Sequence, residues 1–262
     1  GQSLVNATWD DASEKISSKN GEKGHLNEVV MEQILSSYSP HEREMRKNGR
    51  PSIGSGLIFP LSEEKIMIDP LYLEDHWPRI AAIDFGWDHP TAVVWCAMDT
   101  EEEMFYVYDC YRASKASPAV HSEVIRGRPH FIPIAYPHDG NRRDSMGNPG
   151  LADQYRNLGC NFLLEHFTNP PALGSNKGSN SVEEGIMALL QAMEKGKFKV
   201  FSTLGDWFEE FRMYHRKQNK VVPFRDDLMS ATRYAFQSQR HSVAGKDPTW
   251  TQDVEYRNYG II

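Results

Sequence analysis

The sequence predicts an α/β layered domain built on a mixed sheet, with its first strand central and parallel to the later ones. Two patterns carry this expectation. The segments RIAAIDFG, TAVVWCAMD and MFYVYDCYR follow one another from Arg79 with only short polar connections, as an antiparallel meander requires. Beyond them, segments with apolar residues at helical spacing alternate with short apolar runs as far as Gln239. A chain of 262 residues with an ordinary apolar fraction can bury one good core and still carry appendages.

Residues 1–75 combine a Ser/Glu/Lys-rich opening, a helix over Leu26–Ser37 and the Gly/Pro-punctuated stretch RPSIGSGLIFPLSEE, which reads as a linker or the remnant of a preceding domain. The start at Gly1 rather than Met suggests a piece of a longer chain. The main domain spans 76–241. In it, DTEEE forms the polar hairpin between the second and third strands, Pro118–Arg126 a helix, FIPIAYP a buried strand and LADQYRNLG a helix closed by Gly159. NFLLE and KFKVF are short strands on either side of the helix VEEGIMALLQAMEKG. Helices over Leu204–Arg216 and Asp226–Gln239 complete the domain. FTNPPALGSNKGSNS is expected to be a long mobile loop, and 242–262 a flexible tail with Trp250, Tyr256 and Tyr259 as adhesive points.

Several function classes are disfavoured. No apolar run is long enough to span a bilayer, and the N-terminus lacks the basic and apolar regions of a leader. Cys96, Cys110 and Cys160 form no CxxC pair, so zinc and redox motifs are not expected. Without a GxxxxGK[ST] loop, nucleotide triphosphate hydrolysis is not expected of this segment. A net charge of -7 argues against coating nucleic acid by bulk electrostatics, though not against an enzyme whose acids meet DNA through cations.

The chemistry-bearing residues are acids at three stations. Asp84 ends a strand whose preceding residues, Ile80 to Ile83, are wholly apolar. A carboxylate there loses solvation unless a cation or a donor meets it. Asp139 follows the apolar run Phe131 to Tyr136, and in open α/β sheets such strand ends line the ligand crevice. The third station is Asp226–Asp227 at the start of RDDLMSATRYAF. At about 100° per residue, Leu228, Ala231 and Ala235 share a stripe; Asp227 lies near it and Asp226 on nearly the opposite side. Each acid alone has an ordinary structural use, as a turn residue or opposing the helix dipole. Carboxylates from separate elements, with water as fill, suit Mg²⁺ or Mn²⁺, and two such ions about 3.5–4 Å apart serve in-line phosphoryl displacement. Asp88 is an auxiliary candidate, and His138 a candidate for proton transfer. Arg142, Arg143, Lys177 and Lys217 are candidates for phosphate contacts.

DFGWDHPTA, YPHDG, the NSVEEGI helix and DDLMSATRYA resemble the C-terminal nuclease domain of the large terminase subunits of tailed double-stranded DNA phages, a ribonuclease-H-like fold. TWDDA and HEREMRKNGRPSIGSG resemble the segment joining that family's ATPase domain to its nuclease. The resemblance implies metal-dependent endonucleolytic cutting of concatemeric DNA with Mg²⁺ or Mn²⁺, through Asp84, Asp139 and Asp227; Asp226, on the far side of the helix start, is an N-cap, a group supporting a ligand, or a ligand of a second metal ion. Some members of the family carry an acid where Ser230 stands. It also implies double-stranded DNA, a portal protein, a small terminase subunit and an ATPase domain of the full-length chain as partners, working in the host bacterial cytoplasm. The alternatives are another ribonuclease-H-like nuclease, such as a junction resolvase or integrase, and a non-catalytic module docking to the portal.

Overall fold

Ile80, Ala81, Ala82 and Ile83 are all fully buried, and so is nearly every residue of the next apolar run, because both strands lie inside the sheet with both faces covered. The computed structural model of the chain describes residues 27–36, 56–142, 149–171, 178–218 and 220–245. Arg143, Lys177, the middle of the expected 167–181 loop, the tail from 246 and most of the first 55 residues lie outside them.

The described residues divide into two compact units, one within Gly1–Ile66 and Gly205–Asp226, the other within Met67–Leu204 and Asp227–Ile262. The second holds a six-stranded sheet. Its strands are β1 (Met67–Ile68), β2 (Arg79–Asp84), β3 (Thr91–Asp99), β4 (Met104–Ala113), β5 (Ile134–Ala135) and β6 (Phe198–Phe201), in the spatial order β1-β6-β4-β3-β2-β5. The meander β2-β3-β4 is antiparallel; β5 joins β2, and β6 joins β4, in parallel. The mixed sheet is therefore as the sequence predicts, with one difference. β2 is interior but not central, because β6 adds beside β4 rather than beyond β5. A bulge places Tyr108 out of register opposite Trp95 and Cys96.

FIPIAYP gives only the two ladder residues of β5. Pro133 and Pro137 have no N–H to donate, so the pairing around them uses carbonyls instead: Ala81 N donates to Pro133 O (2.8 Å) and Phe167 N to Tyr136 O (2.7 Å). NFLLE shrinks for a related reason, making a single bridge between Ile134 and Phe162.

Helices of this unit are α3 (Pro118–Arg126), α4 (Leu151–Asn157), α5 (Val182–Glu194) and α7 (Asp227–Gln237), with α1 (Glu28–Ser36), α2 (Glu63–Ile66) and α6 (Gly205–Met213) in the other. Pro118 at the first turn of α3 and Gly159 at φ +83 after α4 are the start and stop signals the sequence offers. α7 packs across β2, β3, β4 and β5, and its Leu228, Met229, Ala231, Thr232, Arg233, Tyr234 and Ala235 are all buried. On the β5 side, Phe85, Tyr136, Tyr155 and Phe162 stack at centroid separations of 5.1–5.7 Å. Each such ring stabilises the fold by roughly 1.5–3 kcal/mol through burial. No helix among the described residues is long and apolar enough to cross a membrane.

The expected boundary at residue 75 is not where the contacts divide. Leu57 bridges His215, Phe59 stacks on Phe211 (5.8 Å) and Tyr214 (5.6 Å), and Arg212 pairs with Glu63 at 2.9 Å. Residues 57–63 and 205–215 thus share one small apolar centre within the first unit.

Candidate active site

Asp84 is carried to the end of β2 by four fully buried residues and is itself half-buried. The chain must turn at once. Gly86 makes this turn because a Cβ there would meet the carbonyl oxygens of His89 at 2.3 Å and Pro90 at 2.5 Å. Thr91 Oγ1 donates to Gly86 O (2.9 Å) and accepts from Gly86 N (3.2 Å), tying the two ends of the turn together.

Asp139 leaves β5, the parallel neighbour of β2, within a 3₁₀ turn over His138–Asn141. The buried Gly140 presses that turn onto the residue after Asp84: a Cβ on Gly140 would lie 2.7 Å from both Phe85 Cε2 and Tyr136 Cδ2. The Tyr136 hydroxyl secures the far end of the turn, 3.0 Å from Asn141 Oδ1, while Arg156 donates to that hydroxyl at 3.0 Å. Two adjacent strands and two fitted glycine turns therefore bring Asp84 and Asp139 to the same end of the sheet.

Both act on a residue that sequence reasoning missed. Tyr234 of α7 is 9% exposed, and the charges of Asp84 and Asp139 both act on its hydroxyl. Burial pushes this phenol well above its ordinary value, and Asp84 and Asp139 push it further against the opposing pull of Arg233. The hydroxyl is consequently a permanent donor at physiological pH. The one signal in the sequence was spacing: seven residues after Asp227, Tyr234 returns to the same helical face, about 10 Å along the axis.

Asp227 is 8% exposed at the start of α7. Burial raises its carboxyl above the ordinary value, with His89 and Arg112 opposing. The charges acting on it are thus two basic side chains, whereas those of Asp84 and Asp139 act on the Tyr234 phenol. Among the described residues, no group of three or more His, Cys, Asp or Glu lies close enough to hold a metal. Carboxylates without a bound cation repel one another, and a buried one settles beside whatever positive charge is in reach.

Asp226, half-buried, is the last residue of the first unit. Asp88 is exposed in the turn after β2. His138 is exposed, with its ring 6.5 Å from that of His166. Arg142 is exposed directly after the Asp139 turn, and Lys217 is exposed on β7 (Arg216–Lys217) of the first unit. Cys96, Cys110 and Cys160 are free thiols, the first and last buried.

The family model of the terminase RNaseH-like domain matches residues 81–239, which include Asp84, Asp139, Asp227 and Tyr234. The chain is 38% identical over 247 residues to the large terminase subunit of Salmonella phage P22, covering 94% of this chain and 46% of that protein. It is 39% identical over 236 residues to the large terminase subunit of Enterobacteria phage LP7, again covering 46% of the relative. The chain therefore spans about half the length of these relatives. Among solved structures, the P22 large terminase nuclease domain superposes with a TM-score of 0.66 at 38% identity, covering 73% of this chain and 96% of that one. The large terminase of a thermophilic bacteriophage shares the fold alone, at a TM-score of 0.54 and 14% identity over 83% of this chain and 53% of that one. The mixed sheet, the order of its elements and the match over most of the second unit agree, and the chain belongs to the terminase RNaseH-like domain family.

Proposed function

We propose that this domain is the endonuclease of a viral genome-packaging terminase, cutting concatemeric double-stranded DNA with two divalent cations, Mg²⁺ or Mn²⁺. The observation that carries the reading is the delivery of Asp84 and Asp139 by parallel neighbouring strands to the same end of the sheet. The donor chemistry fits the ion: Mg²⁺ takes hard oxygen ligands and is commonly held by one or two carboxylates, with water and substrate phosphate filling the rest. Asp84 and Asp139 would hold it, with Asp227 rather than Asp226 supplying the last acid. Bound cations of this kind stabilise charge on the attacking and leaving oxygens and lower the pKa of bound water.

The chain's own part follows from the site. Asp84 and Asp139 would offer their carboxylates to the cation, and the Gly86 and Gly140 turns keep both strand ends from drifting apart. Arg142, directly after the Asp139 turn, would supply a phosphate contact. In the full-length protein we infer an ATPase domain in the same chain, with a portal protein and a small terminase subunit as partners, assembled in the cytoplasm of the bacterial host.

Nicking of plasmid DNA tests the proposal directly. Activity is expected with Mn²⁺ or Mg²⁺ and not in EDTA, and Asp84→Ala or Asp139→Ala should each lower it by more than about 100-fold, beyond what loss of a supporting partner costs. Full activity in either variant removes that residue from the site. A strong preference for four-way junctions or RNA–DNA hybrids over plain duplex would point instead to a different nuclease of the same fold.

A further inference from the structure

Large apolar side chains scattered singly over a surface need no explanation, but two of them border the acids of this domain. Among the described residues of the second unit, three large apolar side chains are more than half exposed: Tyr72 (71%), Trp87 (59%) and Leu164 (88%). Tyr72 belongs to the far end of β2, next to Leu73, whose carbonyl accepts from the Arg79 guanidinium (3.1 Å). Trp87 and Leu164 stand at the end that carries Asp84 and Asp139, where the order across the sheet is β4, β3, β2, β5 and then the bridge at Phe162. Trp87 follows Asp84 by three residues in the turn to β3, and its carbonyl accepts from the Lys115 N–H (2.9 Å), which ties it to the chain leaving β4. Lys115 is exposed and holds φ +55, a left-handed backbone uncommon outside glycine. Leu164 lies beyond β5. Leu163 N donates to Ile134 O (2.9 Å) and Phe167 N to Tyr136 O (2.7 Å), so residues 164–166 lie opposite Ala135 alone and must bow outward. The backbone there is nonetheless fixed: the Tyr136 hydroxyl lies 3.1 Å from Leu164 O and 3.0 Å from Asn141 Oδ1 of the Asp139 turn, and Arg156 donates to Leu164 O at 3.2 Å. Both side chains are thus exposed on backbone that is tied down beside the acids, one on either side of them.

We propose that Trp87 and Leu164 enter a groove of the duplex on either side of the phosphate to be cut and open a base step there, so that the domain cuts preferentially where the duplex kinks most easily. The inference rests on the nuclease reading above and adds to it a source of sequence bias. Carboxylates with their cations, and basic side chains, meet phosphates and carry no sequence information. An exposed apolar side chain gains nothing from a phosphate; it gains from a sugar or a base face that leaves water together with it. Proteins that press apolar side chains into a groove partly unstack and kink the step they enter, and the pyrimidine–purine steps TA, CA and TG yield most readily. Positive charge accompanies each wedge: Lys115 is bonded to Trp87, and Arg142 follows the Asn141 that Tyr136 links to Leu164. If the two side chains instead served a protein partner, cutting of naked DNA would be indifferent to the step.

The test maps cut positions by sequencing the ends released in Mn²⁺ from a long linear duplex of mixed sequence, for the 262-residue chain as wild type, Trp87→Ala, Leu164→Ala and the double variant. Both side chains are exposed, so neither truncation opens the core. Wild-type cuts should be enriched about threefold or more at TA, CA and TG steps. In the double variant the enrichment should vanish and the KM for duplex should rise about tenfold or more, the effect of losing one buried side chain of this size. The Mn²⁺ concentration for half-maximal cleavage should not move. On a duplex with a mismatched bubble at the cut, where the step is already open, the double variant should recover toward wild type. Wild-type cutting without step preference, a preference that the double variant keeps, or a deficit that the bubble does not relieve overturns the inference. If wild type does not cut at all, the nuclease reading itself fails; if it cuts every step alike, only the opening of a base step fails.

Discussion

Burial of the Asp227 carboxyl raises its proton affinity, because the ionised form loses more solvation at the start of α7 than His89 and Arg112 restore. A carboxyl whose folded value lies above its unfolded one contributes stability below the unfolded value and loses it as pH rises through the folded one. At neutral pH the metal-free protein therefore carries a destabilising charge. Asp227→Asn should raise the metal-free stability at pH 7 by roughly 0.5–2 kcal/mol, the range typical of relieving a strained functional position, and should flatten the decline on the alkaline side of the carboxylate range. Urea melts across that range decide the matter; equal stability of the two proteins at pH 7 would show that Asp227 is already compensated. Asp84 and Asp139 were visible in the sequence because each ends an apolar run at a turn, where a carboxylate has no packing reason to stand. Tyr234 was not visible, since a phenol on an apolar helical stripe reads as core, and only the folded chain brings it under the charges of Asp84 and Asp139.

Helices and strands were legible to different degrees, for a reason that lies in the backbone. α3 and α5 begin and end with Ser, Pro and Gly signals that act within one turn, so their bounds follow from local sequence. β5 depends on what pairs with it: two prolines reduce its ladder, and Gly140 then ties its turn to Phe85 across the sheet, a contact that no pattern of hydrophobicity encodes. The seam between α5 and α7 has the same character. Gly185 reads as an ordinary flaw in a helix, yet it makes room for the Arg233 stem. Gly185→Ala would improve helix propensity by about 1 kcal/mol in isolation. In the folded chain the new methyl must displace a buried, flanked arginine, and overpacking of this kind costs about 1–3 kcal/mol. A net destabilisation is expected in thermal melts; a more stable variant would mean that Arg233 moves aside freely.

Charge balance sets what the chain can do on its own. On the proposed reading, a chain of net charge -7 would hold DNA against its own field through a few local cations, with Arg142 beside the Asp139 turn as a candidate. Each phosphate neutralised gives a slope of about -0.9 in log affinity against log salt, so a small number of contacts yields a weak and salt-sensitive complex. The kcat/KM of duplex cleavage by this chain should fall about 10- to 100-fold between ~50 and ~200 mM salt, the loss expected for two to four phosphate contacts. The relatives it matches are about twice as long, and a chain of that length, contributing further phosphate contacts from its other half, should show higher affinity with a steeper slope. Neutralising Arg142 as Arg142→Gln should reduce the slope of the isolated chain by about one contact while leaving its response to Mn²⁺ unchanged. Cleavage insensitive to salt, with or without Arg142, would mean that phosphate contacts do not limit the encounter and that the duplex is held over Asp84 and Asp139 by the acids and their cations alone.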